Sequence, residues 1–138
     1  MEDPVEDPIV MYLIVRESLS MSIGKTAAQT AHASQYLIVS YFDMKAQYDG
    51  CLTCAWQPPL KHKEYLDIMK AWLPGSRKVV LKADDKEWEK IKVAFPDCAL
   101  VVDAGLTELV GQNETVIGLW PMKKSEVPKL IKRLQVLK

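Results

Sequence analysis

Net charge is what this sequence most plainly lacks. Eighteen lysines and arginines balance eighteen aspartates and glutamates across 138 residues, so the total does not describe a strongly cationic nucleic-acid binder. Long apolar runs are missing too. None approaches the roughly 18 residues needed to cross a bilayer, and the acidic start, with Glu2, Asp3, Glu6 and Asp7, is unlike a signal peptide. These absences lead to the expectation of a cytoplasmic protein with no membrane partner. Cysteine is scarce, at three residues. A chain of this length can bury its core without disulfides, and the repeated Cys-x-x-Cys of a zinc signature is absent. The lone pair, Cys51 and Cys54, has only Cys98, His32 and His62 as further sulfur or nitrogen ligands of the usual types. It reads as a redox dithiol, half a zinc site, or two ordinary loop thiols, and in a reducing compartment the last is preferred. No metal and no organic cofactor are expected. There is no internal repeat and no low-complexity tract.

What is present alternates between strand and helix patterns. Residues 1–8, with Pro4 and Pro8 among four acids, read as a flexible acidic leader. The run Ile9 to Val15 is short, apolar and rich in branched and aromatic side chains, which predicts a buried strand, placed centrally. A polar loop follows, then a helix from Gly24 to about Met44, with Tyr48-Asp49-Gly50 as a turn. On that helix Lys25, Gln29, His32 and Tyr36 share one stripe, while Ala27, Ala31, Ser34 and Ile38 lie roughly opposite. The small residues are expected to pack on the sheet and the polar stripe to face outward. The spacing of Tyr65, Ile68, Met69 and Trp72 predicts a helix from Lys63 to Trp72, stopped by Pro74-Gly75. Arg77 to Ala83 is the next strand. Asp84 with Glu87 makes a capping box for a helix that ends at Pro96. Ala99 to Val102 reads as a buried strand ending at Asp103, with Gly105 for the turn behind it, and Glu114 to Trp120 as another. Ser125 is expected to cap a final helix that buries Val127, Leu130, Ile131 and Leu134. The pattern is that of one α/β domain over residues 9–138: three layers, a mixed sheet of about four strands, and helices on both faces.

Gly24-Lys25-Thr26 at a strand-loop-helix junction has the look of a P-loop. That motif needs a glycine at position 19, where this chain has Leu19, so the P-loop reading is set aside. What remains is a lysine at a helix N-terminus, suited to an anion or a developing oxyanion. If the strands ending at Arg16 and Asp103 are parallel neighbours, Lys25 and Asp103 can meet across one sheet edge, with Gln29 and Thr107 supplying amide and hydroxyl groups. Each residue also has a structural reading: Asp103 and Thr107 in a turn, Lys25 as a solvated lysine, and His32 holding a loop.

Taken together, Gly24-Lys25-x-Ala27-Ala28-Gln29-x-x-His32-Ala33 after Val15-Arg16, then Lys78-Val79-Val80-Leu81-Lys82, then Asp103-Ala104-Gly105-x-Thr107, resemble the ordered motifs of the type 2 peptidyl-tRNA hydrolases. The resemblance runs from about Ile9 to the C-terminus, with a divergent middle. It implies a three-layer α/β fold without a cofactor and hydrolysis of the ester joining a peptide to tRNA. Lys25, Asp103, Thr107 and Gln29 would be catalytic, and Gly24, His32 and Gly105 would contact substrate. The chain departs from the usual Lys-Met-Gly-Lys-Gly-Lys and Asp-Ala-Gly-Arg-Thr-Gln at Ser20, Ile23, Leu106 and Glu108. Those changes remove three positive charges and add one negative charge. The C-terminal Lys129, Lys132 and Arg133 are candidate phosphate contacts that would compensate. Two readings follow: a hydrolase acting on peptidyl-tRNA, or a non-catalytic module on the same fold that binds RNA or a protein partner.

Overall fold

The structure, a computed structural model, describes residues 7–50, 60–105 and 108–138. Cys51, Cys54, Leu106, Thr107 and the first six residues of the expected leader lie outside the described residues. The sheet has six strands: β1 (Ile9–Arg16), β2 (Lys78–Ala83), β3 (Ala99–Asp103), β4 (Asn113–Gly118), β5 (Met122–Lys123) and β6 (Gln135–Val136). Their order is β3-β4-β1-β2-β6, with β5 pairing the start of β1. β1 is central, as its unbroken apolar run predicts, and it pairs in parallel with β2 and antiparallel with β4. The four expected strands are present; the additions are the two-residue β5 and β6, too short to leave a periodic signal.

Side chains of β1 alternate between two cores. Val10, Tyr12 and Ile14 point toward α3 (Asp85–Ala94) and α4 (Lys129–Lys132), where they meet Trp88, Ile91 and Ile131. Met11, Leu13 and Val15 point the other way, toward α1 (Ile23–Gly50) and α2 (Leu60–Trp72), and meet Ala33, Leu37, Tyr41, Met69 and Trp72. Helices thus cover both faces of a mixed sheet. α3 carries the expected capping box: Asp84 accepts from the Glu87 N–H at 2.7 Å, and Glu87 accepts from the Asp84 N–H at 2.9 Å.

Several expectations are corrected. α1 continues through Tyr48 to Gly50, so no turn interrupts it there. Its packed face matches only half of the expected stripe: Ser34 is buried and Ile38 partly so, but Ala27 and Ala31 are exposed, and Gln29, Ala33, Leu37 and Tyr41 are buried in their place. Ala31 and Ala33 differ by about 200° around the helix, so choosing the wrong alanine rotates the face toward solvent. Gln29 misled the reading because its amide is buried with a partner, which a polarity pattern cannot show. The final helix is also shorter than expected. Residues Lys124–Glu126 form a 3₁₀ turn, Pro128 stands at the N-cap of the four-residue α4, and the chain then enters β6. Ser125 caps nothing; its N–H and hydroxyl donate to Asp7 at 2.8 and 2.6 Å, while the Lys124 N–H donates to the Pro8 carbonyl at 2.9 Å. Residues 7 and 8 are thereby tied to the domain. No helix among the described residues is long and apolar enough to cross a membrane.

Candidate active site

β1 and β3 are not neighbours, as the sequence reading supposed. β4 lies between them, antiparallel to both, which makes β1 and β3 parallel to one another. Their C-terminal ends therefore still share one edge of the sheet. Asp103 ends β3 on the α1 side, and Lys25 stands in the first turn of α1. The Lys25 ammonium bonds Asp103 Oδ1, joining two motifs 78 positions apart in the chain. Both side chains are largely withdrawn from water, at 11% and 9% exposure, so the pair is screened less than a surface salt bridge.

The second oxygen of Asp103 is held as well. Oδ2 accepts from the Gly105 N–H at 2.9 Å. Gly105 sits at φ +77°, and a Cβ built there would lie 2.5 Å from the Gly111 carbonyl oxygen. Both the backbone conformation and the lack of space require glycine. The lysine bond, and after it the Gly105 N–H, hold the Asp103 carboxyl below the ordinary carboxylate range against the opposing effect of burial. Asp103 is thus an ionised acceptor with a fixed orientation.

Gln29 is 5% exposed and lies beneath α1, where its Oε1 accepts from the Thr115 hydroxyl at 2.6 Å. Thr115 reaches this position because β4 is irregular. Val101 pairs with Val116 but Val102 pairs with Glu114, so Thr115 is the extra residue of a bulge. The same hydroxyl lies 3.3 Å from the Val101 carbonyl. Gln29 therefore pins the first turns of α1 to the sheet rather than projecting into an open crevice. His32 is exposed on the outer side of α1 and stacks with Tyr36, ring centroids 6.3 Å apart. Gly24 is exposed in the first turn, with open space where a side chain would stand.

The N-terminus of α1 is closed by residues that sequence reasoning did not assign. Ser22 is the capping residue: its hydroxyl accepts from the Lys25 N–H at 3.2 Å, and its carbonyl accepts from the Thr26 N–H at 2.9 Å. Glu108 grips Ser22 twice, accepting from its N–H at 2.8 Å and from its hydroxyl at 2.6 Å. These bonds, the hydroxyl's first, lower the Glu108 pKa from its ordinary value. The cap was detectable, because serine three residues before Lys25 at a helix start is a recognised signal. The bulge carrying Thr115 left no trace in the sequence.

Along the same edge the cations are matched by acids. Arg16 pairs with Asp85 at 3.0 Å, Lys82 with Glu17 at 2.9 Å, and Lys92 with Glu114 at 2.8 Å. Trp88 Nε1 also donates to Glu114 at 3.0 Å. Arg133 reaches this edge beside Glu17, Lys82 and Asp84. β6, which begins two residues after Arg133, is at the far end of the strand order from β3, which ends at Asp103. Lys129 and Lys132 are exposed on α4, on the opposite face of the sheet from α1. Among the described residues no group of His, Cys, Asp and Glu has the arrangement of a metal site.

Comparison with known proteins adds an independent line. The family model for peptidyl-tRNA hydrolase PTH2 matches residues 9–137. A peptidyl-tRNA hydrolase of Methanopyrus kandleri is 34% identical over 132 residues, covering 91% of this chain and 96% of the relative. One from Pyrobaculum aerophilum is 32% identical, covering 94% of this chain and 98% of its own length. Another, from Thermococcus sibiricus, is 30% identical, with coverage of 91% and 94%. A match that takes in every described strand, both motif blocks and the Lys25–Asp103 pair leaves one assignment: this chain belongs to the peptidyl-tRNA hydrolase PTH2 family.

Proposed function

We propose that this chain hydrolyses the ester bond between the peptide and the tRNA of peptidyl-tRNA, through a site built on Lys25 and Asp103. The reading rests above all on the ion pair between those two residues, which brings the glycine-lysine motif at the start of α1 onto the Asp-Ala-Gly motif at the end of β3. Asp103 is ionised, fixed at both oxygens and close to the open sheet edge, so it can accept a hydrogen bond from water and draw off its proton as the water attacks. Lys25 stands beside it with the positive end of α1 behind it. Its ammonium stabilises the negative charge that develops on the ester carbonyl oxygen. Contact with substrate redistributes the Lys25–Asp103 bond: the lysine turns part of its charge toward the new oxyanion, and the aspartate gains basicity as it does so.

Gln29 acts from below, through Thr115, by holding the turn of α1 that carries Lys25. Thr107 follows Gly105 by two positions in the same motif and is assigned to substrate contact, with Gly24 and His32 on the exposed side of α1. Lys129, Lys132 and Arg133 are assigned to the tRNA phosphates. The edge itself is nearly charge-neutral, because Arg16, Lys82 and Lys92 are paired with acids of the same chain. Polyanion binding must then draw on cations away from the Lys25–Asp103 pair. Release of peptide from purified peptidyl-tRNA, with parent protein and with Asp103→Asn, tests the assignment. Cleavage by the parent and its loss in the variant are expected.

A further inference from the structure

We propose that Glu108 is a positioning residue: its carboxylate, acting through Ser22, holds the first turn of α1 in the one setting that places Lys25 against Asp103. The inference rests on the reading of that pair as the hydrolytic site and names what keeps it assembled. The bonds form a continuous series. Glu108 Oε2 accepts from the Ser22 N–H, Glu108 Oε1 from the Ser22 hydroxyl, the Ser22 hydroxyl from the Lys25 N–H, and Asp103 from both the Lys25 ammonium and the Gly105 N–H. Asp103 and Glu108 are close in the chain, and both grip the same helical turn, Glu108 at its cap and Asp103 at its lysine.

Three observations make Glu108 more than a decorative surface acid. Ser22 is 86 positions away in the chain, so the contact is a tertiary one and must be held by the fold. The carboxylate is bidentate on a single residue, which fixes direction as well as distance. Finally, Ile23 beside the cap is 91% exposed, so the apolar anchorage next to Ser22 comes from Met21, which packs on the core from the other side, and the polar ties must fix the rest.

The carboxyl of Asp103 reports whether Lys25 is in place, because the lysine bond is the main cause of its lowered pKa. The experiment is a carbon-detected NMR titration of Asp103 in the full chain, combined with single-turnover cleavage of peptidyl-tRNA. If Glu108 positions Lys25, Glu108→Ala moves the Asp103 titration upward, toward ordinary carboxylate behaviour. Ser22→Gly in the Glu108→Ala background then adds little further, since the two act through one contact. A purely electrostatic role predicts the opposite sign, because removing a nearby negative charge lowers the Asp103 pKa. An unmoved or lowered titration overturns the proposal. In cleavage, kcat is expected to fall about 10- to 100-fold, with KM changed much less; an unchanged kcat in a parent that cleaves also overturns it. Should Glu108→Ala fail to fold, Glu108→Gln keeps one acceptor for Ser22 and is expected to lie between parent and alanine variant. Asp84→Ala, which weakens the remote cap of α3, controls for destabilisation and should leave the Asp103 titration in place. A parent that shows no cleavage defeats the hydrolase reading, while the titration still decides the role of Glu108.

Discussion

Ala33 of α1 lies directly over Gly118 of β4: a Cβ added to Gly118 would stand 3.2 Å from the Ala33 Cβ and 3.1 Å from Leu37 Cδ1. Helix and sheet approach closely here, which limits the height of α1 above the strands whose ends carry the site. Gly118→Val is expected to overpack the contact and destabilise the protein by about 1 to 3 kcal/mol. Ala31→Leu, on the exposed flank, should change stability by no more than about 0.5 kcal/mol. Urea denaturation of both variants checks this pair. Equal midpoints would remove Ala33 and Gly118 from the role assigned to them.

The α3 cap offers a calibration of local stability. Asp84→Ala removes an acceptor that the Glu87 N–H uses at 2.7 Å, and is expected to cost about 1 kcal/mol. A larger loss in thermal unfolding would mean that Asp84 also supports the neighbouring sheet edge.

Why some of this was legible in the sequence and some was not follows from the particular residues. β1 announces itself because a run of seven apolar residues, short and rich in branched and aromatic side chains, favours a strand buried on both faces. The α3 cap was readable because Asp84 and Glu87 form a local pattern, complete within four residues. The meeting of Lys25 with Asp103 was anticipated from two motifs and one sheet edge, though β4 between their strands was not. The packed face of α1 was misassigned because Gln29 is buried against Thr115 and Ala31 is not buried at all. A buried amide resembles a surface residue until its partner is known, and here the partner sits on a bulge. Glu108 stood out only as a departure and Ser22 not at all; their contact depends on the path of the chain over 86 residues.

Acid should loosen this region in a defined direction. Asp103 and Glu108 both have folded pKa values below their ordinary ones, held down by Lys25 and by Ser22 respectively. Their contribution to stability is therefore complete above the unfolded carboxyl values of about 4 and is lost as pH falls through the lowered folded values. In urea titrations run below about pH 4, unfolding free energy should rise with pH in the parent. The rise should be shallower in a double variant, Asp103→Asn with Glu108→Gln. Equal slopes would show that neither carboxyl is held in its ionised form by the fold.

Charge away from the site should govern tRNA affinity. Replacing Lys129, Lys132 and Arg133 by glutamine is expected to weaken tRNA binding and flatten its dependence on salt, since fewer counterions are released. Filter binding across a salt series measures both. If affinity and slope match those of the parent, phosphate contact belongs elsewhere on the surface.

The central claim is that Asp103 and Lys25 together carry out ester hydrolysis. Asp103→Asn preserves size and one acceptor oxygen but cannot take a proton from water, and Lys25→Ala removes the cation facing the oxyanion. Single-turnover cleavage of peptidyl-tRNA by parent and variants, each shown to be folded by circular dichroism, is the most direct test. The parent should release peptide and both variants should lose about 100-fold or more in rate. Cleavage by the parent that persists in both folded variants would contradict the account.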